Sequence, residues 1–126
     1  MTMPAQFGLI SILSVLLIFH LLVLSKMIPY TFIWGGRLKS DKEMYRFELS
    51  SILINSFFLF IILVQANILA IFLPKMILTA IFWVMTALFA FNTLGNIASK
   101  SKLEQRIFAP ITIILTVLSL ILALKS

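Results

Sequence analysis

The sequence predicts an all-α integral membrane protein, a bundle of four transmembrane helices that reads as two tandem helical hairpins. Three observations carry that prediction. Of the 126 residues, 62% are apolar and only 11% charged, against about half and a quarter in a soluble domain. A folded chain of this length keeps roughly a third of its unfolded surface exposed, and ten Lys and Arg, four Asp and Glu and one His cannot cover that exterior in water. The apolar residues, moreover, fall into four continuous runs, each near the roughly 20 residues that cross about 30 Å of hydrocarbon. These runs are Phe7 to Lys26, Phe47 to Leu69, Met76 to Ala98 and Ile107 to Leu124. They lack the period-two alternation of a barrel strand, so helices are preferred. With three links they use the whole chain as a single transmembrane domain over residues 1–126.

The first span has no Lys or Arg before Lys26 and no small-x-small cleavage site after it, so it is expected to be retained rather than removed as a signal peptide. The link that follows holds Pro29, Tyr30, Trp34, Gly35 and Gly36. Aromatic residues and glycines beside a span predict an interfacial anchor and a turn; a substrate lid is the alternative. In Ser40-Asp41-Lys42-Glu43, Ser and Glu stand three apart, the spacing at which each side chain can satisfy the other's exposed amide. A helix therefore starts at Ser40 and runs through Met44, Tyr45 and Arg46 into the second span. Ser101-Lys102-Leu103-Glu104 repeats the device ahead of the fourth span. Pro110 lies too deep for that helix's first turn, which predicts a kink, or a short interfacial helix followed by a new one. Lys39-Ser40-x-x-Glu43-x-x-Arg46-Phe47 set beside Lys100-Ser101-x-x-Glu104-x-Arg106-Ile107-Phe108 hints at a duplicated hairpin, with shared topological need as the competing explanation.

Charge sets the orientation. The first link and its flanks carry Lys26, Arg37, Lys39, Lys42 and Arg46, and the third carries Lys100, Lys102 and Arg106; only Lys75 and Lys125 stand at the other end. The bias of eight to two places the first and third links in the cytosol and both termini outside, in a bacterial inner or other cytoplasm-facing membrane. It argues against a dual-topology protein. The net charge of +6 thus reports topology and contact with anionic head groups rather than nucleic acid.

No Cys is present, which removes disulfides, thiolate metal sites and thiol relays. No phosphate loop, dinucleotide fingerprint, paired carboxylate or nucleophile with its base occurs, and no cofactor is implied. His20 has no second ligand at metal-binding spacing. The polar residues within the spans are informative by depth. At 1.5 Å per residue, His20 lies roughly 9 Å below Lys26, Asn55 about 12 Å from Phe47 and Asn92 about 9 Å from Ala98, so three helices place a polar group in one layer. Asn96 lies one turn from Asn92 on the same face, and Glu48, Ser51 and Asn55 share a stripe leading into the layer. The sharp reading is a polar cleft open to the cytosol, with His20, Asn55, Asn92 and Asn96 as ligand-binding residues and Glu48 and Arg46 at its mouth. The bland reading is interhelical hydrogen bonding that holds the bundle together. Gln65 and Asn67 read as interfacial. Ser11, Ser14, Ile18, Leu21 and Ser25 form a second face of the first span that suits another copy of the chain.

In size and span number the chain resembles the small multidrug resistance exporters and the small fluoride channels. The resemblance is one of topology: the polar residue of the first span is His20 rather than the exporters' acidic residue, and Asn92 to Ser99 is not the channels' glycine-rich helix. The residues favour a non-enzymatic protein that acts by binding, as a transporter or channel-like homo-oligomer. The alternatives are a structural or regulatory subunit of a membrane complex, and a lipid-modifying enzyme with Glu48 or His20 as base.

Overall fold

The computed structural model describes residues 3–30, 39–99 and 101–125. They form helices α1 (Met3–Leu24), α2 (Asp41–Gln65), α3 (Lys75–Ile97) and α4 (Ala109–Lys125), the last preceded without a break by a π-turn over Glu104–Phe108. No strand occurs among the described residues. All four helical segments are long and apolar enough to cross a membrane. Trp34, Gly35, Gly36, Arg37 and Lys100 lie outside the described residues.

Local chemistry explains where the helices begin and end. Ser40 caps α2 in an extended conformation, its hydroxyl accepting from the Glu43 amide at 3.2 Å, so this helix starts where the Ser-x-x-Glu spacing predicts. Both α1 and α2 end in a left-handed residue, Lys26 at φ 67° and Asn67 at φ 61°. In each case the next amide reaches back five residues, Met27 N to Leu22 O at 2.9 Å and Ile68 N to Leu63 O at 3.0 Å. This is the bond pair that closes a helix end when a left-handed residue follows it. Asn tolerates that conformation by bonding locally; Lys26 meets Asp41 instead, with Nζ 2.5 Å from Oδ2, in an exposed pair. The Asp41 carboxylate holds the Lys26 ammonium above the ordinary lysine range, but an exposed pair adds little stability.

Pro110 does not split the last helix, which runs unbroken over residues 102–125. A proline removes one amide and presses on the carbonyl four residues earlier, and the chain relieves this by one wider turn in which the Ala109 amide reaches Glu104 O. In an α-helix a residue four positions back is rotated by roughly 40°; the extra residue in a π-turn removes most of that offset. Glu104 therefore comes to line the same cavity as Phe108 and Thr112.

The helices pair as two hairpins, α1 with α2 and α3 with α4, joined along α1 and α4, while α2 and α3 barely meet. The larger of two packed clusters lies in one half of the bundle, and a small one around Val23 and Met44 lies at the link end. Leu9 and Leu13 of α1, Phe58, Ile61 and Ile62 of α2, Phe82, Met85 and Phe89 of α3, and Leu115 and Leu122 of α4 form one cluster. It fills the end nearest both chain termini. Lipid tails are as apolar as these side chains, so close packing rather than the hydrophobic effect holds them together. At the same end Gln6 Nε2 donates to Gln65 Oε1 across α1 and α2, which gives Gln65 a helix-pairing role in place of the interfacial one read from sequence. The stripe of Ser11, Ile18, Leu21 and Ser25 is exposed on the outside of α1.

Gly8 sets how closely α1 and α4 approach. A Cβ there would stand 2.9 Å from Leu118 Cδ1, the tip of a flexible side chain. Gly8→Ala is therefore expected to cost about 1 kcal/mol or less, and Gly8→Ile about 1–3 kcal/mol, as read by equilibrium unfolding in mixed micelles. Equal stability of Gly8→Ile and the parent would show that the helices are not in contact there.

Candidate functional site

The half of the bundle opposite the packed core encloses a cavity of about 220 Å³ lined by all four helices. Leu16, Phe19 and His20 come from α1, Ser51 and Asn55 from α2, Phe89, Phe91, Asn92, Gly95 and Asn96 from α3, and Glu104, Phe108, Thr112 and Leu115 from the π-turn and α4. His20, Asn55 and Asn92, placed in one layer by counting along the spans, and Asn96, one turn from Asn92, thus line a single cavity. Leu16, Phe89 and Leu115 close it toward the core. On the side where α2 and α3 diverge, Phe91, Asn92 and Gly95 are exposed, so the cavity opens there.

Glu48 and Arg46 depart from the sequence reading. The helical stripe puts Glu48 at the rim, but it faces α1 and is wholly buried, with Oε2 2.6 Å from His20 Nδ1. It stands behind His20 rather than in the cavity lining. The helix start at Ser40 explains this, because seven residues of helix precede Glu48 and carry it inside the bundle. Arg46, two positions earlier, points away and is exposed. The contact holds the imidazole by Nδ1 and leaves Nε2 as the ring's other polar atom.

The remaining polar groups are held by bonds within and between helices. Asn55 Nδ2 donates to Ser51 O at 2.8 Å, in its own helix. Asn96 Nδ2 reaches Thr112 Oγ1 at 3.4 Å, across α3 and α4, and Thr112 donates in turn to Phe108 O at 3.0 Å. Asn92 lies exposed at the opening with no hydrogen bond among the described residues. Glu104, which the Ser-x-x-Glu spacing assigns to capping, is buried, and its carboxylate accepts from Ser99 Oγ at 2.5 Å. Sequence reasoning missed Glu104 and Thr112 as cavity residues because only the π-turn brings both onto the cavity face. Pro110 is the sole sequence signal for that turn.

Among the described residues no cluster of three His, Asp or Glu side chains could hold a metal ion, and none of the cavity-lining residues is Lys or Arg.

Removing either half of the His20 and Glu48 pair leaves the other half buried. His20→Ala and Glu48→Ala are each expected to lower the unfolding free energy by about 2 kcal/mol, the scale of a hydrogen bond to a charged group. The double variant should cost clearly less than the two losses added together. Additive losses would show that the pair is not coupled.

No family model, curated protein or solved structure matches this chain at a level that shows a relationship.

Proposed function

We propose that this multi-pass membrane protein binds a small polar solute within the bilayer and serves as a transporter of that solute. The observation that carries the proposal is the cavity itself, in which each of the four helices contributes polar side chains at one level while the other half of the bundle is packed solid. Polar groups at membrane depth are costly and mark solute pathways. A cavity of about 220 Å³ is smaller than the roughly 300–1,000 Å³ of drug-sized sites, which limits the solute to a few heavy atoms. A channel needs a continuous path across the bilayer, whereas here the packed cluster closes the bundle near the chain termini, as in one state of an alternating-access carrier. The bias of basic residues makes the opposite end, that of the first and third links, cytosolic, where Lys42, Arg46, Lys102 and Arg106 meet anionic head groups.

A second reading, a structural or regulatory subunit, draws on the bond between Asn96 and Thr112 and the pair of His20 with Glu48, which tie α3 to α4 and α1 to α2. Asn92 separates the two, since it lines the cavity yet holds nothing together. Thermal unfolding of the purified protein against a panel of amines, amino acids, sugars and inorganic ions is expected to reveal a stabilising solute. At 100 times its dissociation constant such a solute adds about 2.7 kcal/mol. Asn92→Ala should leave the ligand-free midpoint unchanged and lose that stabilisation. If no solute stabilises the protein and only Asn96→Ala and His20→Ala shift the midpoint, the polar layer is packing and the carrier reading fails.

A further inference from the structure

Building on the reading of the cavity as a solute site, we infer that its ligand is an amphiphile, with a small polar head held in the cavity and an apolar tail that leaves between α2 and α3 into the bilayer. The depth of the opening leads to this class. Helix α3 has 23 residues, roughly 35 Å, and overhangs about 30 Å of hydrocarbon only slightly at each end. Asn92, more than a turn inside its end at Ile97, therefore lies below the head groups, and the side opening beside it faces acyl chains. The rim of that opening is apolar. Ile54, one turn from the cavity-lining Ser51 of α2, and Val84 and Phe91, two turns apart on one face of α3, are all exposed. Gly95 supplies a second, independent observation. It lines the cavity beside Asn92, and a Cβ built on it would meet nothing within 4 Å. Glycine weakens a helix relative to alanine, and inside a membrane it usually serves to let another helix come close. Gly95 has no such neighbour among the described residues, so the room that its missing side chain leaves is open to something outside the chain.

A wholly polar solute in a cavity open sideways at this depth would keep one flank against acyl chains, and polar groups left there without partners are costly. An amphiphile presents its chain on that flank. Its head meets His20, Asn55, Asn92 and Asn96, which between them carry both donors and acceptors. The lining therefore selects for the division into head and tail, not for the sign of the head's charge. The space of about 220 Å³ takes the head alone, while the tail lies along Ile54, Val84 and Phe91, where lipid chains otherwise pack. A second copy of the chain laid across α2 and α3 would close the opening but leave the cavity behind it unfilled.

The test is binding to the protein in lipid nanodiscs by calorimetry, with the signal of empty nanodiscs subtracted. Three heads are each offered without and with a tail: glycerol and 1-O-octylglycerol, methylammonium and octylammonium, acetate and octanoate. At least one octyl probe is expected to bind about tenfold more tightly than its tail-free partner, the gain from burying roughly two methylenes. Gly95→Leu should remove that gain, because a helical side chain covers the turn before its own Cα and would lie across the opening beside Phe91 and Asn92. Partition of a probe into lipid is indifferent to this substitution. With open space at Gly95, Gly95→Leu should also leave the unfolding midpoint no lower than that of the parent, which separates a blocked opening from a damaged fold. A lowered midpoint would mean that the opening is closed in the folded protein and would overturn the tail. Equal affinity within all three pairs, or an octyl affinity that Gly95→Leu leaves unchanged, shows that no tail occupies the opening, and the amphiphile class is wrong while the solute site stands. The class also fails if no octyl probe binds but a tail-free solute stabilises the protein and is lost in Asn92→Ala. It fails again if Gly95→Leu breaks a dimer seen by light scattering, which would make the opening an interface between copies. If no solute or probe of any kind binds, the site itself is wrong.

Discussion

A carboxyl group held entirely out of water is the constraint on which this structure turns. Glu48 is wholly buried and meets His20 at 2.6 Å. Taking a carboxyl group out of water is costly unless it is paired, so α1 and α2 must stay in register at that level, and the imidazole must present its other nitrogen to the cavity. Everything on the cavity side of α1 follows from this contact. The leucines of α1 face the core about two and three turns nearer the chain start, at Leu13 and Leu9, and Phe19 covers the link end beside Met44 and Val23.

The second hairpin solves the same problem differently. Its buried carboxylate, Glu104, comes just ahead of the fourth span rather than within a regular helix, and reaches the cavity only because Pro110 forces a wide turn. The two hairpins therefore resemble one another in sequence at their entry points and differ in geometry. That difference bears on symmetry: α1 lies against α4, whereas α2 and α3 diverge. The divergence leaves the opening beside Asn92. The packed cluster near the chain termini supplies the cavity's floor, and the weak contact of α2 with α3 its side opening.

Much of the fold was legible because bilayer physics leaves few choices. Four apolar runs could only be helices, and the spacing of Ser40 and Glu43 located the start of α2 to the residue. The first and fourth spans were drawn later than their helices begin, because hydropathy marks the apolar stretch while hydrogen bonding extends the helix through polar residues such as Gln6 and Gln105. The layer of His20, Asn55 and Asn92 emerged from depth alone, since axial position follows from counting at 1.5 Å per residue, and Asn96 followed from sharing a face with Asn92. Rotation about the axis was harder to read. Glu48 turned toward α1 rather than toward the opening, and Glu104 needed a π-turn whose rotation no periodic template contains. Facing is decided by which helix packs against which, and the pairing of α1 with α4 in place of α2 with α3 was not written in any one span.

The central claim is that the polar layer is a watery cavity entered from one face of the membrane, and the absence of Cys from the sequence allows it to be tested without background. Single cysteines placed by Asn92→Cys, Ser51→Cys and Leu13→Cys would be exposed to a membrane-impermeant thiol reagent added to either face of sealed vesicles of known orientation. Asn92→Cys and Ser51→Cys should react from the face that carries Lys42 and Lys102 and not from the other, and Leu13→Cys should react from neither. Failure of both cavity positions to react, or their reaction from the opposite face, would contradict the account.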